Sequence, residues 1–198
     1  LERHVTAREA AVRATSSVSW SFGHDTGYNA SHWSDQLGTV SGSGSAAAGV
    51  NDMFVAGAGI YTRGCRATTR MILLKAVLGS MTSSAFDAAI GTGGWIDNRA
   101  FTARLLRTDS VSVQYRGDAP ANWVPGDVGY VRGRNPDPLS VGEWVLYKGR
   151  SVWWGFGSTV REMDLDSWID FVGNLPGADR SFVPEISEQR IYPGVGLQ

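Results

Sequence analysis

The sequence predicts an α+β fold in which one buried helix packs on an antiparallel sheet. Two observations support this. After Gly64 a run of about three helical turns is apolar on nearly every side. Further along, several short alternating segments are separated by turn residues, as in a sheet of neighbouring strands. The length of 198 residues fits one domain with one core.

The first elements are read from helix propensity and side-chain size. Residues 2–13 are predicted as a short amphipathic helix with Val5 and Val12 on one face. Residues 38–49 contain no large side chain after Val40, so they are predicted as a mobile loop or linker. The buried helix then begins at or just after Cys65 and ends at Gly79.

The second half of the chain is predicted to form the sheet. A helical segment over residues 101–107 precedes strands over residues 111–115, 127–132, 144–148 and 151–156. A last helix is predicted over residues 164–172, with Asp164 or Asp166 as its N-cap. We therefore expect a lead-in over residues 1–28, the main domain over 29–175 and an extended surface tail over 176–198.

Composition excludes several classes of function. The net charge of -1 gives no global attraction to nucleic acid or to an anionic membrane. No apolar run reaches the length of a membrane span, and no signal peptide is seen, so we expect a soluble protein. The first residue is Leu1, which suggests a processed product or a domain cut from a longer protein. The three histidines show no metal-ligand spacing, and no metal site is predicted.

Cys65 is the only cysteine, so it forms no internal disulfide and no Cys-rich zinc site. Two roles remain: packing as a small hydrophobe, or chemistry as a nucleophile. A thiol at the first turn of a helix lies near the positive end of the helix dipole, where a thiolate is stabilised. This placement predicts a lowered pKa for the Cys65 thiol.

Three blocks of sequence occur in a fixed order. The first comprises residues 51–54, 60–61, 65–68 and 71–78, the second residues 125–128, 130 and 135–137, and the third residues 142–143, 146–149 and 153–157. They resemble the nucleophile helix, the Pro-Gly-Asp strand entry and the aromatic-Gly-His-Gly strand of bacterial spore-coat type protein-glutamine gamma-glutamyltransferases, the transglutaminases with a papain-like cysteine fold. Arg66 interrupts the Cys-Ala-Thr step of that family.

The resemblance implies roles for particular residues. It places the catalytic cysteine on Cys65 and the catalytic glutamate on Glu143, and it puts Phe156 where the family has its histidine. It further suggests Trp144, Trp153 and Trp154 as substrate-binding residues. The implied partner is a protein with glutamine side chains and lysine acceptors, and the resembled family needs no cofactor.

Phenylalanine at position 156 can neither donate nor accept a proton, whereas the reaction needs both steps. Glu143 is the first candidate to replace the histidine, because a carboxyl group buried among tryptophans could have a pKa near neutrality. His24 and His32 are the other candidates, or they are surface residues. Arg63 and Arg66 either lower the pKa of the thiol or are simply exposed.

Four functional hypotheses follow from this pattern. The first is acyl transfer from glutamine side chains, by transamidation or deamidation. The second is a catalytically degenerate domain that binds a protein partner. The third is an effector or toxin enzyme silenced by an introduced Phe156, and the fourth is a cysteine peptidase or amidase on the same fold.

Overall fold

The computed structural model describes residues 2–35, 44–56, 59–91, 105–110, 123–136, 141–157, 159–181, 184–186 and 189–193. Within these ranges seven strands form one antiparallel sheet, in the order β3-β9-β4-β5-β6-β7 with β8 also paired to β4. The strands are β3 (Leu106–Ser110), β4 (Val128–Arg132), β5 (Gly142–Gly149), β6 (Val152–Gly157), β7 (Thr159–Met163), β8 (Glu185–Ile186) and β9 (Gln189–Pro193). A separate parallel pair joins β1 (Ser21–Phe22) to β2 (Thr62–Arg63).

Helices cover both faces of the large sheet. They are α1 (Glu2–Ala14), α2 (Ala46–Ala56), α3 (Cys65–Leu78), α4 (Ser83–Ile90) and α5 (Leu165–Gly173). The first four share a core with Val128, Leu146 and Trp154 of the sheet. Alternate strand residues point to the other face, where Val145 and Trp153 pack with α5. This helix and antiparallel sheet architecture agrees with the predicted α+β class.

Helix α3 is the central buried helix that the sequence predicts. Leu73 and Leu74 are fully buried, and the helix ends where the Gly79 N–H donates to the Lys75 carbonyl. At the other end Gly64 is the N-cap residue with an extended backbone, and its N–H donates to Asp25 Oδ1 over 2.9 Å. The carboxylate of Asp25 thus fixes the residue just before Cys65.

Helix α1 contacts α3 through small residues. Its buried face is formed by Ala7, Ala11 and Ala14, whereas Val5 is half exposed. The predicted helix is confirmed, and its inner face is formed by alanines, which allow the two helix backbones to approach closely, while Val12 is partly buried against the same core. Arg8 also forms a salt bridge with the fully buried Asp127 at the entry to β4.

Two predicted elements need correction. Ala46 to Gly49 belong to α2 rather than to a loop, because their small side chains let the helix approach Trp33: a Cβ on Gly49 would lie 2.3 Å from that ring. Leu106 and Arg107 are in β3 rather than in a helix, since they pair with Pro193 and Tyr192. Residues 36–43, 101–104 and 111–115 of the predicted segments lie outside the described residues.

The other predicted elements of the C-terminal half are confirmed. Strands β4, β5 and β6 and helix α5 lie where the pattern places them. Asp164 caps α5 by accepting the Ser167 N–H over 2.7 Å. The segment expected as an extended surface tail needs correction, because its residues 184–186 and 189–193 include β8 and β9 of the sheet and Ile186 is buried in the core. In the described part of the chain no helix is long and apolar enough to cross a membrane.

Candidate active site

The fold brings the first residue of α3 to the start of β5. There the Cys65 thiol donates a hydrogen bond to the carboxylate of Glu143. The backbone N–H groups of Trp144 and Arg66 donate to the sulfur atom. The side chain of Cys65 is partly accessible to solvent. A thiol, which can act as a nucleophile, is therefore in contact with a carboxyl group, which can carry a proton, at the N-terminus of a buried helix.

Glu143 occupies the point where β5 separates from β6. The backbone pairing of the two strands ends at Val145 and Gly155. Beyond that point the Glu143 carboxylate accepts a hydrogen bond from the Phe156 N–H. Gly157 leaves space there, because a Cβ at this position would lie 3.1 Å from Glu143 Oε2. Within the described residues Oε1 has no hydrogen-bond partner although Glu143 is only 4% exposed. One carboxylate oxygen is thus buried without a hydrogen bond from the described residues.

Burial controls the protonation of this carboxyl group. It raises the pKa of Glu143 from 4.5 to about 8, while the hydrogen bonds from Cys65, Phe156 and Trp144 act in the opposite direction. Desolvation dominates because the charged form loses its water and regains only part of that energy from three donors. The predicted shift of the Glu143 pKa toward neutrality agrees with this.

The Cys65 thiol behaves differently from its prediction. Burial is the largest effect and raises the pKa of Cys65, and the charge of Glu143 raises it further. The N–H groups of Trp144 and Arg66 stabilise the thiolate but do not compensate. The expectation that the helix start lowers the pKa is therefore wrong in its net direction, because desolvation and a neighbouring carboxylate outweigh the helix dipole.

Phe156 forms part of an aromatic wall in the same core as α3. Its ring stacks with Trp154 at 6.3 Å and contacts Phe22 edge-on at 5.5 Å. Phe156 is 4% exposed, whereas Phe22 on β1 is 42% exposed and covers it. The side chain at position 156 thus packs as an apolar core residue, and its backbone N–H donates to Glu143.

The three tryptophans of the prediction differ in their surroundings. Trp144 is partly buried and its ring lies 5.1 Å from that of Tyr130. Trp153 and Trp154 are fully buried in the two cores on opposite faces of the sheet. Among the three, Trp144 alone reaches the surface next to Cys65.

The predicted histidine and arginine candidates lie in other environments. His24 is exposed, and His32 Nε2 lies 3.9 Å from Asp52 Oδ1. Arg63 is buried, and its guanidinium donates to the carbonyls of Thr26, Gly27 and Thr62. Arg66 is exposed. The groups that act on the pKa of Cys65, as described above, include no histidine and no charged arginine side chain.

The structure also brings Tyr130 near Cys65 and Glu143, although in the sequence this residue stands out only as part of the second block. The pKa of Tyr130 is raised by burial and then by the charges of Cys65 and Glu143. The only sequence signal was its position two residues after Val128 on a predicted strand. No cluster of three or more metal-ligating side chains is found in the described ranges.

Comparisons with known proteins agree with this architecture. Residues 2–173 match the family model of protein-glutamine gamma-glutamyltransferase. The structure is similar to a transglutaminase from Geobacillus stearothermophilus without its C-terminal extension, with a TM-score of 0.73 and 18% identity over 96% of this chain and 91% of that chain. A comparison with curated protein sequences gives no significant match.

Proposed function

Because the chain belongs to the protein-glutamine gamma-glutamyltransferase family, we propose that Cys65 and Glu143 form a dyad that transfers the acyl group of glutamine side chains. The observation that carries this proposal is the hydrogen bond between the Cys65 thiol and the Glu143 carboxylate at the start of α3. The dyad supplies both a nucleophile and a proton carrier, which are the two groups that acyl transfer through a thioester requires.

In the first half of the reaction the Glu143 carboxylate takes the thiol proton as the sulfur attacks the carboxamide carbon. The sulfur–carbon bond forms and the carbonyl electron pair moves to oxygen. When that pair returns, the carbon–nitrogen bond breaks, and the protonated Glu143 gives its proton to the departing nitrogen. Ammonia leaves and a gamma-glutamyl thioester remains on Cys65.

In the second half an amine or water attacks the thioester. Glu143, ionised again, accepts the proton of the attacking group and passes it to the sulfur as the thioester bond breaks. A lysine amine gives an isopeptide bond, and water gives glutamate. A pKa of about 8 suits a group that must both take and give a proton near neutral pH. Glu143 therefore performs the proton transfers that the side chain at position 156 does not.

The substrate class that fits this site is a protein glutamine on an accessible segment. Trp144 borders the thiol through its backbone N–H and presents a partly exposed ring. Phe22 offers a second exposed aromatic surface beside Phe156. An extended segment of a protein substrate could contact both rings while its glutamine side chain reaches Cys65.

The test is incorporation of a fluorescent primary amine into a glutamine-donor protein, together with ammonia release. Wild type is expected to give both products. Cys65→Ala should give neither, and Glu143→Gln should lose at least about 100-fold in kcat, since a carboxamide neither takes up nor releases a proton near neutral pH. Glu162→Gln is the matched control, because Glu162 is exposed on β7 and pairs with Lys148. Product formation that does not depend on Cys65 would reject the proposal.

The aromatic wall favours a second candidate function. Phe156 packs against Phe22 and Trp154 where the family has its histidine. The second candidate is therefore a domain that has lost its catalytic base and binds a protein partner. Phe156→His separates the two. Activity that appears only in this variant supports the binding domain, whereas wild-type turnover of glutamine substrates excludes it.

A further inference from the structure

Tyr130 lies on the same side of the sheet as the Cys65 sulfur. Residues 130 and 144 are paired across β4 and β5, and their rings are 5.1 Å apart at an interplanar angle of 38°. The backbone N–H of that same Trp144 donates to the sulfur of Cys65. The Tyr130 phenol therefore packs on β4 next to Trp144, which itself packs against the core on the α3 side of the sheet.

Gly142 leaves room for the Tyr130 hydroxyl group. A Cβ at residue 142 would lie 2.8 Å from both the phenol oxygen and its ring carbon. The absence of that Cβ lets the hydroxyl group lie across the start of β5, over residue 142, the chain neighbour of Glu143. Negative charge on Cys65 or Glu143 is felt at the phenol and opposes its ionisation. Tyr130 thus remains a hydrogen-bond donor when negative charge develops in the site.

We propose that the Tyr130 hydroxyl donates a hydrogen bond to the acyl oxygen while it is negatively charged in the tetrahedral intermediate on Cys65. This inference rests on the proposed acyl transfer and adds a catalytic residue to it. The phenol keeps its proton throughout: the sulfur–carbon bond forms, the carbonyl pair moves to oxygen, and the hydroxyl stabilises that oxygen until the pair returns. The backbone N–H groups at the start of α3 have no acceptor inside the helix. They supply further hydrogen-bond donors to the same negatively charged oxygen.

The experiment compares two reactions of the same thiol. Acylation of Cys65 by a p-nitrophenyl ester passes through an oxyanion, whereas alkylation by iodoacetamide is a direct displacement without one. Tyr130→Phe is expected to lower the acylation rate on the order of 100-fold, the effect of removing one oxyanion donor, and to change alkylation less than about twofold. Tyr147→Phe is the matched control, because Tyr147 packs with the opposite core, where its oxygen accepts the Ser151 N–H.

The two rates decide the inference independently of glutamine turnover. An unchanged acylation rate in Tyr130→Phe overturns it. An equal fall in acylation and alkylation also overturns it, because Tyr130 would then only position the thiol. Thermal unfolding of both variants identifies any loss of folding. If wild type is acylated by the ester but releases no ammonia from glutamine donors, the proposed function fails while the ratio of rates still tests Tyr130.

Discussion

The protonation of two side chains governs the chemistry at the residue scale. At neutral pH the Cys65 thiol is uncharged, because burial and the charge of Glu143 raise its pKa. Glu143 is mostly protonated as well, since its pKa is about 8. The productive combination, one negative charge shared between sulfur and carboxylate, therefore becomes more populated as pH rises through about 8.

Alkylation of Cys65 should report this shared charge. In wild type we expect a rate that increases with pH and shows an inflection near pH 8, where Glu143 loses its proton. Glu143→Gln removes the group that titrates there, so its profile should lack that inflection. The measurement is the iodoacetamide rate constant from acidic to alkaline pH. Superimposable profiles for the two proteins would show that Glu143 does not control the thiol.

At the scale of elements, α1 is tied to the sheet by one buried ion pair. Arg8 bonds Asp127, whose side chain is fully buried, and the Arg8 guanidinium also lies 4.6 Å from the centre of the Tyr192 ring. Asp127 in addition accepts the Val124 N–H over 2.9 Å. The pair thereby joins a helix that packs on α3 to the turn that begins β4.

Arg8→Ala should destabilise the fold by about 3 kcal/mol, because it leaves a buried carboxylate without its cation. Arg13→Ala is the control on the same helix. Arg13 and its partner Glu9 are both largely exposed, so this variant should change the free energy of unfolding by less than about 0.5 kcal/mol. Urea unfolding measures both. Equal effects of the two substitutions would contradict the structural role of the pair.

Gly49 shows a conflict between helix propensity and packing. In the first turn of α2, alanine would gain up to about 1 kcal/mol of helix propensity over glycine. Its Cβ would however lie 2.3 Å from Trp33, a buried ring held by a hydrogen bond to Tyr61. Overpacking of this kind costs about 1–3 kcal/mol, so after the gain in propensity we expect Gly49→Ala to lose roughly 1 kcal/mol in urea unfolding. Gly79→Ala is the control, because the nearest atom to its added Cβ lies at 3.4 Å, and it should leave the free energy of unfolding nearly unchanged. A Gly49→Ala variant more stable than wild type would show that the Trp33 ring can move aside.

For the molecule as a whole, Glu143 links stability to pH. Its pKa is raised in the folded state, from 4.5 to about 8. Its contribution to stability is therefore fully present below about pH 4.5 and is lost as pH rises through about 8. The loss amounts to roughly 3–5 kcal/mol over that window.

This linkage predicts a difference between wild type and Glu143→Gln. The free energy of unfolding of wild type should fall relative to the variant as pH increases from about 4.5 to about 8, since the amide does not titrate. Urea unfolding at a series of pH values gives the two curves. Glu162→Gln, on the exposed side of β7, should keep the wild-type slope. A constant difference between wild type and Glu143→Gln would mean that the carboxyl group is not desolvated.

Much of this architecture is predictable from sequence, and the exceptions have physical causes. The α3 helix is marked by a continuous apolar run that ends at Gly79, and the β5–β6 hairpin and α5 by their turn and capping residues, so their positions are predicted correctly. Strand β9 is short and gains its conformation from pairing with β3 and β4, which no local pattern shows. The raised pKa of Cys65 likewise depends on tertiary burial, whereas the helix dipole is visible in the sequence. Tyr130 becomes part of the site only through strand register.

In the proposed reaction Cys65 carries the acyl group of a glutamine donor. This intermediate can be observed by intact-mass spectrometry after wild type is incubated with a glutamine-containing peptide in the absence of any amine acceptor. We predict an adduct on Cys65 with the mass of the peptide less ammonia, much reduced in Glu143→Gln and absent from Cys65→Ala. An unmodified Cys65 in wild type under these conditions would contradict the account.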